Sequence, residues 1–330
     1  MVACAKQDDG KTSDNSNKTE TTSTDSKSNE SAGGEIHVVS RENGSGTRGA
    51  FTEITKILEK GADGKEQDKT VSSAIVQNST NAVMMTVGQD KDAIGYISLG
   101  SLNDKVNAVK INGVEATSEN VQKGDYKISR PFNIAYKGEL KPLPKDFLDY
   151  ILSKEGQEIV KKEGYEQLPE EAKAYNKNSQ KGKIVVAGST SVSPLMEKLA
   201  ESYKAMYPEV EIEIQSTGSS AGMNSAIEGV CDIGMASREL KDKEKEQLKA
   251  QPIAIDGIAV IVNKENTKAT DLTLEQIKDI FTGKVKSWSE ISKWFLSKGR
   301  SLMRSVFYFE RIYFTFVKCN VSLFLQSFTF

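Results

Sequence analysis

Four short stretches of this 330-residue chain gather hydroxyls, glycines and arginine in a way suited to holding an anion. The first, Ser40 to Arg48, reads SRENGSGTR. Within it Gly44 and Gly46 permit tight turns, Ser45 can cap a following helix, and Arg41 offers a forked, charged donor pair. The others are Gly188-Ser189-Thr190-Ser191, Gly218-Ser219-Ser220 and Ser237-Arg238. Hydroxyls and free backbone N–H groups at a helix N-terminus bind a small anion without moving protons or electrons. None of the four continues as Gly-Lys-Ser/Thr, so a nucleotide is not implied.

The remaining composition removes other chemistries. One histidine, His37, cannot build a His-rich metal centre. Cys4, Cys231 and Cys319 are odd in number and far apart, so neither a disulfide framework nor a ligand cluster is expected. Cys231, inside EGVCDIGMAS, reads as a small buried hydrophobe. A phosphoesterase needs metal-ligand carboxylates or a His/Cys nucleophile beside the anion loops, and neither pattern is present; no enzyme activity, cofactor or metal is expected. With 44 basic against 46 acidic residues there is no global field for a polyanion, so no nucleic-acid partner is expected. An apolar share of 37% supports a core but not an integral membrane protein.

Each anion loop is placed where a strand would deliver it. Ile36 to Ser40 has the composition of a short strand, and Ala50, Phe51, Ile54, Ile57 and Leu58 then repeat at helical spacing. Ile184 to Ala187 reads as a strand running into Gly188, followed by a helix burying Leu195, Met196, Leu199, Ala200 and Tyr203, with Pro194 in its first turn. Val210 to Gln215 alternates like a strand before Gly218, and Asp232 to Ala236 is a third strand emptying into Ser237. Open α/β sheets bind ligands at such carboxyl ends. Thr273 and Gln276 fit a capping box. Phe147, Leu148, Ile151, Leu152, Ile159 and Val160 form a helical stripe, and the polar residues 166 to 182 read as a surface connection. Asp256, before GIAVIV, reads as a local hydrogen-bonding group near a hinge.

Both ends differ from this α/β grammar. In residues 1–33, 11 are Ser or Thr, and no bulky apolar residue follows Val2 before Ile36, the composition of a flexible tether. Behind Val2-Ala3-Cys4 it resembles the start of a bacterial lipoprotein, which implies lipid on Cys4. The missing apolar leader fits a start codon assigned too late, with Met1 internal. Residues 301–330 hold nine of the chain's 24 Phe, Tyr and Trp residues and one carboxylate, Glu310. With no helical stripe or clean alternation, the tail from about 296 reads as frameshifted, fused or misassembled, the alternative being a genuine membrane or partner-binding tail.

The motifs VAGSTSVSPLMEKLAESY, GSSAGMNSAIEGVCDIGMASRELK, IDGIAVIVNKEN, LTLEQIKDIFTG and VVSRENGSGTRGAF resemble the substrate-binding protein of bacterial ABC phosphate importers over roughly residues 35 to 293. The resemblance implies an α/β, two-lobed, periplasmic-binding-protein-like fold of type II, with the ligand cleft between lobes. It implies capture of inorganic phosphate outside the cell membrane and delivery to an ABC permease, by a monomer held to the membrane through Cys4. Here SRENGSGTR precedes GSTSV, the reverse of the better-known order, so the chain reads as circularly permuted. Lobe A is expected over 127–254, and lobe B over 35–126 with 256–293. The chain near Glu35 is then expected beside the segment after Trp288.

The implied phosphate contacts are Thr190, Ser191, Ser219 and Ser237 from lobe A, and Arg41, Ser45, Gly46 and Thr47 from lobe B. Arg48 and Arg238 are expected to tie down helices or face solvent. Ser237 departs from the family pattern, which has an aspartate there to accept a hydrogen bond from protonated phosphate. A serine accepts such a bond but does not repel a fully ionised oxyanion; Glu42 or Glu239 is a candidate for the missing negative group. The alternatives are a receptor for sulfate, molybdate or a similar oxyanion, and a surface adhesion or signalling module on the same scaffold.

Overall fold

The computed structural model describes residues 34–61, 64–169, 171–177 and 180–291. The expected Cys4 tether and the aromatic-rich tail from about 296 lie outside the described residues.

Nine strands form one continuous sheet in which a single arrangement occurs twice. In one half Gly182–Gly188 lies between Val210–Ser216 and Ile233–Ala236, all parallel, and Ser129–Tyr136 runs antiparallel beyond Ile233–Ala236. In the other half His37–Arg41 lies between Ile75–Gln77 and Ala93–Ser98, again parallel, and Lys249–Asn263 runs antiparallel beyond Ala93–Ser98. A first strand between its second and third, with an antiparallel strand outside, is the type II arrangement of a two-lobed α/β binding protein. In each half the first and third strands deliver their carboxyl ends to one place, where ligands bind in open α/β sheets.

Each half buries its own apolar faces. One core gathers Val39, Phe51, Ile94, Tyr96, Ile128, Val260, Phe281 and Trp288 among others. The second gathers Phe132, Phe147, Ile184, Leu195, Leu199, Tyr203 and Ala254, with a satellite around Met223 and Leu248. The chain therefore passes between cores twice, near Ser129–Pro131 and near Ile255–Gly257, on the paired strands Ser129–Tyr136 and Lys249–Asn263. Two adjacent crossings make a hinge.

Local signals place the loops that matter. The helix Gly46–Ile54 starts at Ser45, whose hydroxyl accepts the Arg48 N–H, and the helix Ser193–Met206 carries Pro194 in its first turn. Thr273 and Gln276 form the expected reciprocal capping box on Leu274–Phe281. The helical run expected through Ile57 and Leu58 is shorter. Thr55 Oγ1 bonds the Phe51 carbonyl, Lys56 takes a positive φ of 60°, and Leu58 opens the strand Leu58–Lys60. Ile57 is fully buried all the same, so its apolar character is met from a turn. The connection after Tyr165 is pinned more firmly than a surface loop: Tyr175 packs edge-on against Tyr150 and donates its hydroxyl to Asp146. Cys231 is buried as expected, and that burial pushes its thiol up to about 11.

The first and last described segments, which share one core, also meet as the permuted order requires. Glu35 pairs antiparallel with Ser287, the Ile36 N–H donates to Lys286 O at 2.8 Å, and the Trp288 N–H donates to Gly34 O at 3.2 Å.

Candidate anion-binding site

Four helix N-termini converge where the sheet's carboxyl ends face each other. They belong to Gly46–Ile54, Thr80–Gln89, Ser193–Met206 and Ser219–Glu228, and every one brings or follows a hydroxyl-bearing loop. Free N–H groups and the positive ends of the helix dipoles make this place favourable for negative charge.

The side chains interlock across the two lobes. Arg41, only 2% exposed, donates from Nη2 to Thr190 Oγ1 at 3.0 Å and from Nη1 to Thr80 Oγ1 at 3.5 Å. Its Nε and Nη2 also grip both oxygens of Glu42, at 2.8 and 2.9 Å, in a forked ion pair. Thr47 Oγ1 lies 2.8 Å from Ser191 Oγ and 3.3 Å from Ser237 Oγ. Ser191 Oγ is also 2.9 Å from Thr80 Oγ1, while Ser219 Oγ accepts the Ser237 N–H at 3.2 Å. The Ser220 N–H donates across the cleft to Gly44 O at 3.1 Å. Two glycines permit this closeness. A Cβ on Gly46 would stand 2.4 Å from Ser219 Oγ, and one on Gly188, at φ 141°, would stand 2.3 Å from Met235 O.

All eight side chains or backbone positions singled out from sequence thus lie in this one region: Arg41, Ser45, Gly46 and Thr47 from one lobe, Thr190, Ser191, Ser219 and Ser237 from the other. Ser45 is the exception in its use, since its hydroxyl is already the cap of its own helix. Arg48 and Arg238 serve structure. Arg48 pairs with Asp68 at 2.8 Å and donates to Arg41 O; Arg238 forks onto Glu244 at 2.7 and 2.8 Å. Of the two candidate acids, Glu42 is in the site and Glu239 is an exposed residue beyond it.

Sequence reasoning missed two members. Thr80, 3% exposed, joins both Arg41 and Ser191. Its signal was a strand followed by Asn78-Ser79-Thr80 and a helix, the same grammar as the other loops but without a glycine. Tyr96, 1% exposed, accepts the Arg41 N–H at 3.2 Å and lies 2.9 Å from Ser40 Oγ, orienting the strand end that presents Arg41. Burial pushes its phenol up. Among the described residues no group of three His, Cys, Asp or Glu side chains could hold a metal ion, and no helix is long and apolar enough to cross a membrane.

Residues 13–155 and 173–309 match the PBP superfamily domain, most of the chain's length. The chain belongs to the PBP superfamily. It is 54% identical over 268 residues to the phosphate-binding protein PstS 2 of Streptococcus agalactiae, covering 81% of this chain and 91% of that one. It is similar to the crystal structure of a phosphate-binding protein of a phosphate ABC transporter from Streptococcus pneumoniae, at 49% identity and TM-score 0.64, covering 78% of this chain and 100% of that one. The streptococcal match over 268 residues means that the order of segments is shared with that relative. The phosphate-binding protein PstS of Staphylococcus aureus matches at 38% identity over only 122 residues, 34% of this chain and 37% of that one, as a change in segment order between two members of one superfamily would produce.

Proposed function

We propose that this protein captures inorganic phosphate at the outer face of the cell membrane and delivers it to an ABC permease, making and breaking no bond. The observation that carries the reading is the convergence of Arg41, Thr47 and Thr80 with Thr190, Ser191, Ser219 and Ser237 from the opposite lobe. The high identity to phosphate-binding relatives supports it. Lipid on Cys4 would hold the receptor at the membrane, and the molecule works as a monomer with two lobes, 127–254 and 35–126 with 256–293.

In this reading Arg41 supplies the charge. Thr47, Thr190, Ser191, Ser219 and Ser237 supply directional hydroxyls or N–H groups, and Gly46 its backbone N–H. Because the ligand's partners are divided between lobes, phosphate binds the closed form better than the open one and shifts the hinge equilibrium toward it. Glu42 takes the part of the aspartate that Ser237 replaces. A carboxylate beside the anion accepts a hydrogen bond from protonated phosphate, whereas sulfate has no proton to give at neutral pH. A site selective for sulfate or molybdate is the contrary result of the same experiment.

Isothermal calorimetry with phosphate, sulfate and molybdate over pH 6 to 8 tests the reading, together with Arg41→Ala. Phosphate is expected to bind most tightly. Arg41→Ala is expected to weaken it by about 30- to several thousand-fold, the loss of a charge-assisted contact in a desolvated site worth roughly 2–5 kcal/mol. Wild-type phosphate affinity in a cooperatively folded Arg41→Ala protein would reject this cleft as the site.

A further inference from the structure

The mouth of the cleft carries an apolar surface that the anion site does not use. The two hinge strands stand at the centre of the sheet, and Ile75–Gln77 and Val210–Ser216 are its two edges. Each edge is therefore the part of its lobe's sheet furthest from the hinge. The two edges end beside each other. The Glu42 N–H donates to Gln77 O at 3.0 Å, and a Cβ on Gly218, just past the other edge, would stand 3.4 Å from Glu42 Oε1. These strand ends border the opening through which an anion enters and leaves, because the paired hinge strands close the opposite side.

The two edges are defended differently. On Val210–Ser216, Glu211 and Glu213 pair with Lys183 at 3.1 and 2.7 Å, the kind of charged guard that keeps a sheet edge from pairing with other chains. Ile75–Gln77 has no such guard. Thr70 to Gln89 is the longest stretch of the sequence without Asp, Glu, Lys, Arg or His, 20 residues in a chain of which 27% are charged. Burial does not explain it, since Ile75, Val76, Asn78, Asn81, Met85 and Gln89 are exposed. Ile75 at 40%, Val76 at 57% and Met85 at 55% are three of the four large apolar side chains exposed among the described residues. Ile75 and Val76 point to opposite faces of the strand, so neither face of this edge is covered. Gln77 Nε2 donates to Thr86 Oγ1 at 2.9 Å, which ties the edge to the helix Thr80–Gln89, where Asn81, Met85 and Gln89 form one exposed stripe.

We propose that this uncharged rim of lobe B, centred on Ile75, Val76 and Met85, is the surface on which an ABC permease docks, and that the contact is apolar and not made by ion pairs. The inference rests on the reading that phosphate is delivered to such a permease. The occupant follows from position: phosphate leaves through the mouth, so its acceptor has to cover that rim. A bare strand edge and an uncharged helix stripe fit a partner surface that is likewise uncharged. The helix that carries Met85 begins at Thr80, which bonds Arg41, so the docking surface and the anion site share one element.

The test is phosphate uptake into proteoliposomes that hold the phosphate ABC permease of the same organism, at rising concentrations of the phosphate-loaded full chain, for wild type, Val76→Lys, Met85→Lys and Val230→Lys. Val230 is the fourth exposed apolar side chain, just past the end of Ser219–Glu228 that points away from the mouth. All three positions are exposed, so unfolding temperature and phosphate affinity are expected to stay at wild-type values. Val76→Lys and Met85→Lys are expected to raise the half-saturating concentration by at least about tenfold, since the contact would have to desolvate a charge, and Val230→Lys to leave it unchanged. Half-saturation of the wild type is expected to vary little with ionic strength. Wild-type half-saturation in both rim variants, or an equal loss in Val230→Lys, overturns the inference. So does a steep dependence on salt, which would assign docking to charged residues elsewhere. If light scattering shows wild-type dimers that the rim variants dissociate while uptake is unchanged, the rim is a contact between two copies and the inference is wrong. Calorimetry separates the two readings: a wild type that binds no phosphate rejects the proposed function, whereas rim variants that bind phosphate and drive uptake as the wild type does reject the docking surface alone.

Discussion

Arg41 and Glu42 are neighbours in sequence that would ordinarily point to opposite faces of an extended chain, yet here the guanidinium grips both oxygens of the carboxylate. In the proposed reading that fork holds Arg41 in place before any anion arrives, which lowers the ordering cost of binding. In the same reading it places a negative charge beside the anion, a cost that only a ligand with a proton to donate can offset. Glu42→Gln is accordingly expected to raise sulfate affinity by about tenfold or more while changing phosphate affinity less, so the phosphate-to-sulfate ratio of dissociation constants narrows. Competition calorimetry reads the ratio directly. An unchanged ratio would remove Glu42 from the selectivity argument and leave Ser237, through its hydroxyl, as the remaining discriminator.

At the level of elements, the device is a helix start pressed against another helix start. Gly46 opens the helix Gly46–Ile54 and lies under Ser219, the first residue of Ser219–Glu228. An added Cβ would stand 2.4 Å from Ser219 Oγ, 3.1 Å from Ser219 Cβ and 2.8 Å from Ser237 Oγ. Gly46 has no positive φ, so alanine suits its backbone. Gly46→Ala is thus expected to leave thermal stability unchanged or raise it by roughly 0.4–1 kcal/mol, through the reduced freedom of the unfolded chain. Phosphate affinity should fall by at least about tenfold, because the methyl keeps the lobes apart or turns Ser219 away from the Ser237 N–H. Stability and affinity moving in opposite directions is the signature. A joint fall in both would mean that the contact between Gly46 and Ser219 supports the fold and not closure alone.

For the whole molecule, the hinge makes stability depend on pH in a defined direction. Burial pushes Asp256 up to about 6, against the opposing pull of Arg130. A carboxyl whose folded pKa exceeds its unfolded value binds more protons when folded, so its contribution falls as pH rises from about 4 to about 6. Asp256→Asn lacks that contribution. The Tm difference, variant minus wild type, is expected to grow more positive between pH 4 and 6 and to level off above about 6.5. Unfolding scans at matched ionic strength check this. A flat difference across that interval would show that Arg130 compensates burial in full.

Much of the candidate site was legible because its parts are local. A hydroxyl-bearing turn between a strand and a helix is written in a few consecutive residues, as in Gly44 to Thr47 or Gly188 to Ser191, and so are the caps of Ser45 and Thr273. The repeated strand–loop–helix grammar also fixed the α/β class, and the motif order set which segments had to be brought together. What local pattern does not contain is the partner. Thr47 meets Ser237 across 190 residues and Arg41 meets Thr190 across 149, so these pairings exist only after the carboxyl ends of the sheet's two halves are set face to face. Thr80 lacked the glycine that marked the other loops, and Ile57 satisfied a helical spacing from the far side of a turn. Asp256 was readable as a hydrogen-bonding group near a hinge. That it faces Arg130 with both side chains almost fully buried was decided by strand register and burial, which depend on the packing of both lobes at once.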